Sequence, residues 1–291
     1  MTLRETCALC GAPGVAAGEK EGRIRKRPYR LARCGRCAFA WVVDADDDYG
    51  ALYDEAYYRG EGADPLVDYV RELNDPRTLR RFEWEGLLEL ARGCGVRDGA
   101  TWVDFGGGAG GFVRYLAERG FDAHAYDSGA GADLGRAHGV SVLDQEQLHA
   151  LAGRCAVVSA IEVLEHVADP AAVVKTIATL LAPGGVLVLT TGNAERARDT
   201  LARWSYVIPE VHISFYTPQN LRSLYEDHGL EPLDTRGERG WNGIIRYKVL
   251  KTLGVKRTGG VFSLVPWSLA ARIVDRKRGV SAMPFARKSG G

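Results

Sequence analysis

No stretch of these 291 residues approaches the roughly 18 to 20 uninterrupted apolar residues that a membrane-crossing helix needs. The opening Met1-Thr2-Leu3-Arg4-Glu5 runs straight towards cysteines and lacks the apolar core of a signal peptide, so a cytoplasmic protein is expected. There is no internal repeat, no low-complexity segment and almost no net charge, with 38 lysines and arginines against 37 acids. That balance disfavours a globally basic nucleic-acid binder. It hides one asymmetry: from Arg246 onward eleven lysines and arginines meet a single acid, Asp275. Such a segment either steers anionic ligands or forms solvated helix faces. The sequence leaves the oligomeric state open, with a homodimer compatible.

Cysteine is sparse but ordered. Four of the six cysteines form two pairs, Cys7-Ala8-Leu9-Cys10 and Cys34-Gly35-Arg36-Cys37. Each pair makes a tight knuckle presenting two thiolates, and four thiolates complete a tetrahedral zinc shell. A shell of four cysteines leaves no position for water, so a zinc ion here is structural. Cys94 and Cys155 read as buried bystanders.

Beyond the acidic run Asp44, Asp46, Asp47 and Asp48 lies a tyrosine-rich stretch (Tyr49, Tyr53, Tyr57, Tyr58) with turn signals at Gly60 and Gly62. Pro76 suits the first turn of a helix reaching Ala91, with Leu79, Phe82, Leu87 and Leu90 on one side and Gly93–Gly95 as its stop. Strand-like and helix-like segments then alternate, as in an α/β protein with a parallel sheet covered on both faces. Strands are expected at Thr101–Phe105, Asp122–Tyr126, Val140–Leu143, Cys155–Ala160, Val186–Thr190 and near Glu231–Thr235, with a last one near Val280–Ala286. Helices are expected at Gly111–Arg119, Ala171–Leu181, Pro218–Gly229, about Ile244–Leu253 and about Pro266–Arg276.

The richest local signal is Val103-Asp104-Phe105-Gly106-Gly107-Gly108-Ala109-Gly110-Gly111, a strand-to-helix loop. Glycines suit it because the chain turns sharply and a ligand must approach the backbone. The helix that follows offers free N–H groups to an anion. Gly106-x-Gly108-x-x-Gly111 also satisfies a dinucleotide fingerprint, so the loop alone leaves the cofactor open. Asp127, ending the next strand, could accept from a ribose diol of either kind of cofactor. Asp104 separates the two: a carboxylate there repels pyrophosphate and suits an amino-acid ammonium, unless it only caps the helix.

Asp104-x-Gly106-x-Gly108-x-Gly110 is similar to the first motif of class I S-adenosylmethionine-dependent methyltransferases. Ala160-Ile161-Glu162-Val163-Leu164-Glu165-His166-Val167-Ala168-Asp169-Pro170 resembles the segment after strand 4 in the subfamily that includes ubiquinone-biosynthesis-type enzymes. Leu181-Ala182-Pro183-Gly184-Gly185 followed by Val186–Leu189 resembles the start of its strand 5, and His212-Ile213-Ser214-Phe215-Tyr216-Thr217-Pro218 its His-aromatic segment. The resemblance spans about residues 49–291. It implies a Rossmann-like seven-stranded sheet with an antiparallel last strand and helices on both faces, joined here to a small zinc-ribbon-like N-terminal module. It divides the chain into a cysteine module at 1–48, a tyrosine-rich linker with lid helices at 49–98, and a methyltransferase domain at 99–291 with a two-helix insertion at about 243–278. It also implies that Gly106, Gly108 and Gly110 face the methionine part of S-adenosylmethionine, Asp127 the ribose and Asp144 the adenine edge, while Ile161 and Glu162 line the methyl end. Similar zinc-binding modules occur in some bacterial methyltransferases of sugar nucleotides and secondary metabolites.

Methyl transfer to a hydroxyl or carbon acid needs a base, and histidine has a suitable pKa. His124, His138, His149 and His228 read as structural or exposed. His166 and His212 fall at carboxyl ends of strands, where open α/β sheets place their sites. His166 fits helix capping or a supporting position as well as catalysis. His212 is the leading base, with acceptor binding or structure as its alternatives. In the sugar C-methyltransferases a Glu-His pair precedes the aromatics; here Val211 separates Glu210 from His212, which puts that pairing in doubt. Tyr57, Trp204, Tyr206 and Tyr216 are expected to wall an acceptor pocket, with Tyr53 and Tyr58 as further candidates for its roof. The expected activity is methylation of oxygen or carbon on a small molecule. The rivals are an RNA methyltransferase using the cysteine module and basic tail, an NAD-dependent oxidoreductase, and a binding module without turnover.

Overall fold

The computed structural model describes residues 4–48, 52–61, 68–75, 77–259 and 264–290. Its N-terminal strands are β1 (Gly14–Glu21), β2 (Pro28–Cys34) and β3 (Ala40–Val42). Short helices α1 (Glu55–Tyr58) and α2 (Tyr69–Asn74) follow, then α3 (Arg80–Gly93). Tyr49, Gly62 and Pro76 lie outside the described residues; α3 itself begins beyond the expected Pro76 start.

From there strands and helices alternate as the sequence pattern requires: β4 (Thr101–Phe105), α4 (Gly111–Ala117), β5 (Asp122–Tyr126), α5 (Ala130–Ala137), β6 (Val142–Leu143), α6 (Gln145–Ala150), β7 (Cys155–Ile161), α7 (Pro170–Leu180) and β8 (Leu181–Thr190). The chain continues through β9 (Ser214–Phe215), α8 (Pro218–Glu226), β10 (Leu230–Leu233), α9 (Gly240–Thr252), α10 (Trp267–Arg278) and β11 (Phe285–Lys288). The last strand starts later than expected because Val280–Ala282 forms a 3-10 turn. Strand β8 begins five residues before the expected Val186, and Pro183–Gly185 forms a bulge inside it, where the register against β7 jumps from Cys155↔Leu181 to Val157↔Val186.

The main sheet has seven strands in the order β10-β11-β8-β7-β4-β5-β6. Its central pairs are parallel, and β11 runs antiparallel to both β8 and β10. Because alternate side chains point to opposite faces, each strand feeds two cores. Val103, Val158 and Leu187 pack with α7 and α8. Trp102, Val157 and Val186 pack with α3, α4 and α9. The chain leaves β4 in one direction through β5 and β6 and returns on its other side at β7, so the switch point lies between β4 and β7. In such sheets the crevice for a ligand opens at the strands' carboxyl ends there.

Two contacts shape that crevice beyond the sheet itself. Helices α3 and α9 touch backbone to backbone because Gly86, Gly240 and Gly243 stand at the crossing, where a Cβ would collide with the facing helix. The N-terminal strands, for their part, are not isolated. They form a four-stranded sheet, β1-β2-β3-β9, whose last member comes from the segment carrying His212. Cys7, Cys34, Phe39 and Trp41 share a core with Tyr216, Leu221 and Leu224.

Candidate active site

A cavity of roughly 1350 Å³ fills the crevice. Its floor is the glycine loop. Gly106, Gly108 and Gly110 all have positive φ (72°, 54° and 77°), a region that L side chains adopt only at a cost. A Cβ on Gly106 would also lie 2.7 Å from Val163, and one on Gly111 2.8 Å from Trp84. The backbone is therefore bare where a ligand can lie on it.

Two acids hold the loop. Asp127 accepts from the Gly108 and Gly129 N–H groups, both at 2.9 Å. Asp104 is buried and accepts from Ser159 Oγ at 2.6 Å, and Ser159 in turn accepts from Trp102 Nε1. Burial pushes the Asp104 carboxyl up to about 7 against that hydrogen bond. Asp144 does not reach the cavity. It is exposed and caps α6, accepting from Gln147 N–H at 2.8 Å.

The methyl-end wall begins where β7 ends. Ile161 lines the cavity, and Glu162 follows with φ +53°. Glu162 binds Lys248 Nζ at 2.8 Å and accepts from Tyr206 Oη at 3.0 Å. Burial opposes its ionisation, but the Lys248 ammonium more than offsets this and holds the carboxyl at about 2. Glu165 behaves oppositely. Fully buried, it is hydrogen-bonded to the hydroxyls of Thr191 (2.9 Å) and Tyr206. Burial and the Glu162 charge raise it to about 8, so it keeps its proton at neutral pH.

His166 and His212 lie side by side on the cavity wall, ring centroids 4.8 Å apart. The other four histidines are not among its lining residues. His166 Nδ1 meets the Val211 carbonyl at 2.9 Å and Tyr53 Oη at 2.6 Å. Burial, with His212 beside it, pulls its imidazole down to about 3. His212 Nδ1 meets the Tyr206 carbonyl. A carbonyl only accepts, so Nδ1 carries the proton and Nε2 is left as the basic nitrogen.

Trp204 and Tyr206 stack at 4.8 Å, and Tyr57 packs against Tyr53 at 4.9 Å; all four line the cavity, as does Tyr58. Tyr216 does not. It is fully buried, donates to the Leu164 carbonyl at 3.0 Å and packs on Phe39 of the N-terminal sheet. Glu210 is no partner of His212 either: its Oε1 accepts from the Ile24 N–H at 2.8 Å, capping the turn between β1 and β2.

Sequence reasoning missed Lys248, Glu165, Arg80 and Glu83. Lys248 sits 86 residues from Glu162; its only sequence signal is the set of helix glycines that lets α9 press on α3.

Two groups among the described residues bring metal-binding atoms together. Cys7, Cys10, Cys34 and Cys37 place their sulfurs within 4.8 Å of one another, with pairs at 3.4, 3.6 and 3.8 Å. Zinc–sulfur bonds of about 2.3 Å make a tetrahedron with edges of about 3.8 Å, so the set fits zinc. The Arg36 and Cys37 N–H groups also point at Cys34 Sγ, as in a knuckle. Glu165, His166 and His212 are the second group. Its carboxyl group is protonated and already engaged by two hydroxyls.

A glycine loop at the switch point, with one acid near the end of β4 and another just after β5, defines a nucleoside-cofactor enzyme of the α/β class. The chain belongs to the S-adenosylmethionine-dependent methyltransferases: the methyltransferase-domain family matches residues 75–235. Ubiquinone biosynthesis O-methyltransferase of Caulobacter sp. (strain K31) is 32% identical over 194 residues, 60% of this chain and 71% of that protein. The enzyme of the same description from Colwellia psychrerythraea is 31% identical over 153 residues, 46% of this chain and 62% of that protein. Among solved structures, a chain of the Haloferax volcanii complex between the Trm112 methyltransferase activator and a methyltransferase aligns over 85% of this chain and all of its own length. Its TM-score of 0.51 at 16% identity speaks to the fold alone.

Proposed function

We propose that the enzyme methylates an oxygen or carbon of a small acceptor bearing an anionic group, in the class of sugar nucleotides and secondary-metabolite intermediates, with His212 as general base. The cofactor lies over Gly106, Gly108 and Gly110, with Asp104 beneath the loop, Asp127 at the ribose and Ile161 near the methyl end. Bound there, it supplies an electrophilic methyl group. Glu162, ionised and tied to Lys248, orients Tyr206, which positions His212 through its carbonyl. His212 Nε2 takes the acceptor proton as the new bond forms, while Trp204 and Tyr206 exclude water and face the acceptor ring. His166, with its basicity suppressed, supports this wall. The four cysteines hold a structural zinc that braces β9 and the His212 segment.

The observation that carries the acceptor reading is the set of cationic side chains along the cavity. Arg23, Arg196, Arg203, Lys251, Lys277 and Arg278 all line it. Cations lining one cavity favour a phosphate-bearing ligand. Paired acceptors differing only in a diphosphate test this by cofactor consumption. Turnover of the phosphorylated member alone is expected; equal turnover of both overturns the reading.

A further inference from the structure

Glu83 belongs to none of the sequence motifs, yet it sits in the cavity wall with only 1% of its surface exposed. Its Oε2 accepts from Arg80 Nη1 at 2.7 Å. Its Oε1 is equally buried and has no hydrogen-bond partner among the described residues. Arg80 is shared, since its Nε also binds Glu72 at 3.0 Å. Arg80 therefore divides its guanidinium between two acids and leaves Glu83 Oε1 without a donor. A buried carboxylate oxygen without a donor is costly, and a cationic ligand group removes that cost. The neighbouring groups do not supply one. Lys248 is bound to Glu162.

Position points the same way. Trp84, the residue after Glu83, packs against Gly111 at the end of the glycine loop. The α3–α9 crossing fixes Arg80 under the Tyr247 ring, 4.7 Å from its centroid, so the carboxylate is held rather than mobile.

We infer that Glu83 takes the α-ammonium of the cofactor's amino-acid end, with Arg80 and Glu72 as positioning residues. The inference rests on the cofactor placement proposed above and assigns the ammonium to Glu83 rather than to Asp104. It makes α3 the element that separates the intact cofactor from nucleosides lacking the amino acid.

Titration calorimetry of wild type and Glu83→Gln with S-adenosylhomocysteine and with methylthioadenosine, which has no amino-acid end, tests it. Glutamine keeps an acceptor for Arg80 and removes the charge. The variant should bind S-adenosylhomocysteine about tenfold or more weaker, the loss of one charge-assisted hydrogen bond, and methylthioadenosine within about twofold of wild type. Equal losses for both ligands, or none for S-adenosylhomocysteine, overturn the assignment. A second measurement needs no variant: the wild type should bind desamino-S-adenosylhomocysteine about tenfold or more weaker than the parent, and equal affinities overturn it. A wild type that binds neither nucleoside overturns the cofactor placement itself, and Glu83 with it.

Discussion

Lys248 of α9 and Glu162 at the end of β7 meet at 2.8 Å in the cavity wall. The pair holds a residue with φ +53° in place and keeps its carboxyl charged. With a folded value of about 2, below its ordinary 4.5, Glu162 adds stability above about pH 4.5 that is lost as pH falls towards 2. Lys248→Met strands the carboxylate. It should destabilise the protein by roughly 2 kcal/mol at pH 7, less than the 3–5 of a fully buried pair because both side chains remain partly exposed. It should also shift the acidic limb of the pH–rate profile upward. Thermal melts and a pH–rate series check both.

Glu165 contributes with the opposite sign. Its folded value of about 8 lies above the ordinary 4.5, so its stabilising effect is full below about pH 4.5 and is lost as pH rises to 8. Glu165→Gln keeps the shape, one acceptor oxygen and one donor facing Tyr206 and Thr191, without the titration. The melting temperature of the variant should fall less between pH 5 and 8 than that of wild type; unchanged slopes would contradict the buried-acid reading.

The cysteine site predicts coupling between metal and turnover. One zinc per chain should be found by plasma emission spectrometry and be lost in a Cys34→Ser, Cys37→Ser variant. Because β3 pairs with β9, and Glu210 caps the turn between β1 and β2, losing the metal loosens the segment that carries His212. The melting temperature should drop by several degrees. Acceptor kcat/KM should fall at least about tenfold while S-adenosylhomocysteine affinity changes little.

Gly110→Ala tests the loop. A side chain there carries about 1–2 kcal/mol of left-handed strain and meets Val140. Weaker cofactor binding and a lower melting temperature are expected together, measured by calorimetry and by melts.

Much of this architecture was legible in the sequence because its strands and helices are local patterns. β4 and β5 fall on the residues that hydrophobic runs and turn signals mark, and the glycine loop identifies its own position. What periodicity does not encode is which distant side chains meet. The family resemblance implies that Asp144 meets the adenine edge, yet its carboxylate caps α6. Tyr216 read as a pocket aromatic, yet the partner it packs on, Phe39, comes from the N-terminal sheet. Strand β9, only two residues long, has no pattern of its own to read. Lys248, Arg80 and Glu83 reach the cavity through a helix crossing that rests on three glycines, a signal visible only once α3 and α9 are placed together.

Turnover of His212→Asn, measured at saturating cofactor and acceptor beside its affinity for S-adenosylhomocysteine, tests the proposed base most directly. A base acting from the cavity wall predicts kcat lower by about a hundredfold or more, cofactor affinity within about twofold of wild type, and loss of the limb of the pH–rate profile that reports deprotonation of the base. Retained turnover with the limb intact would remove His212 as the base.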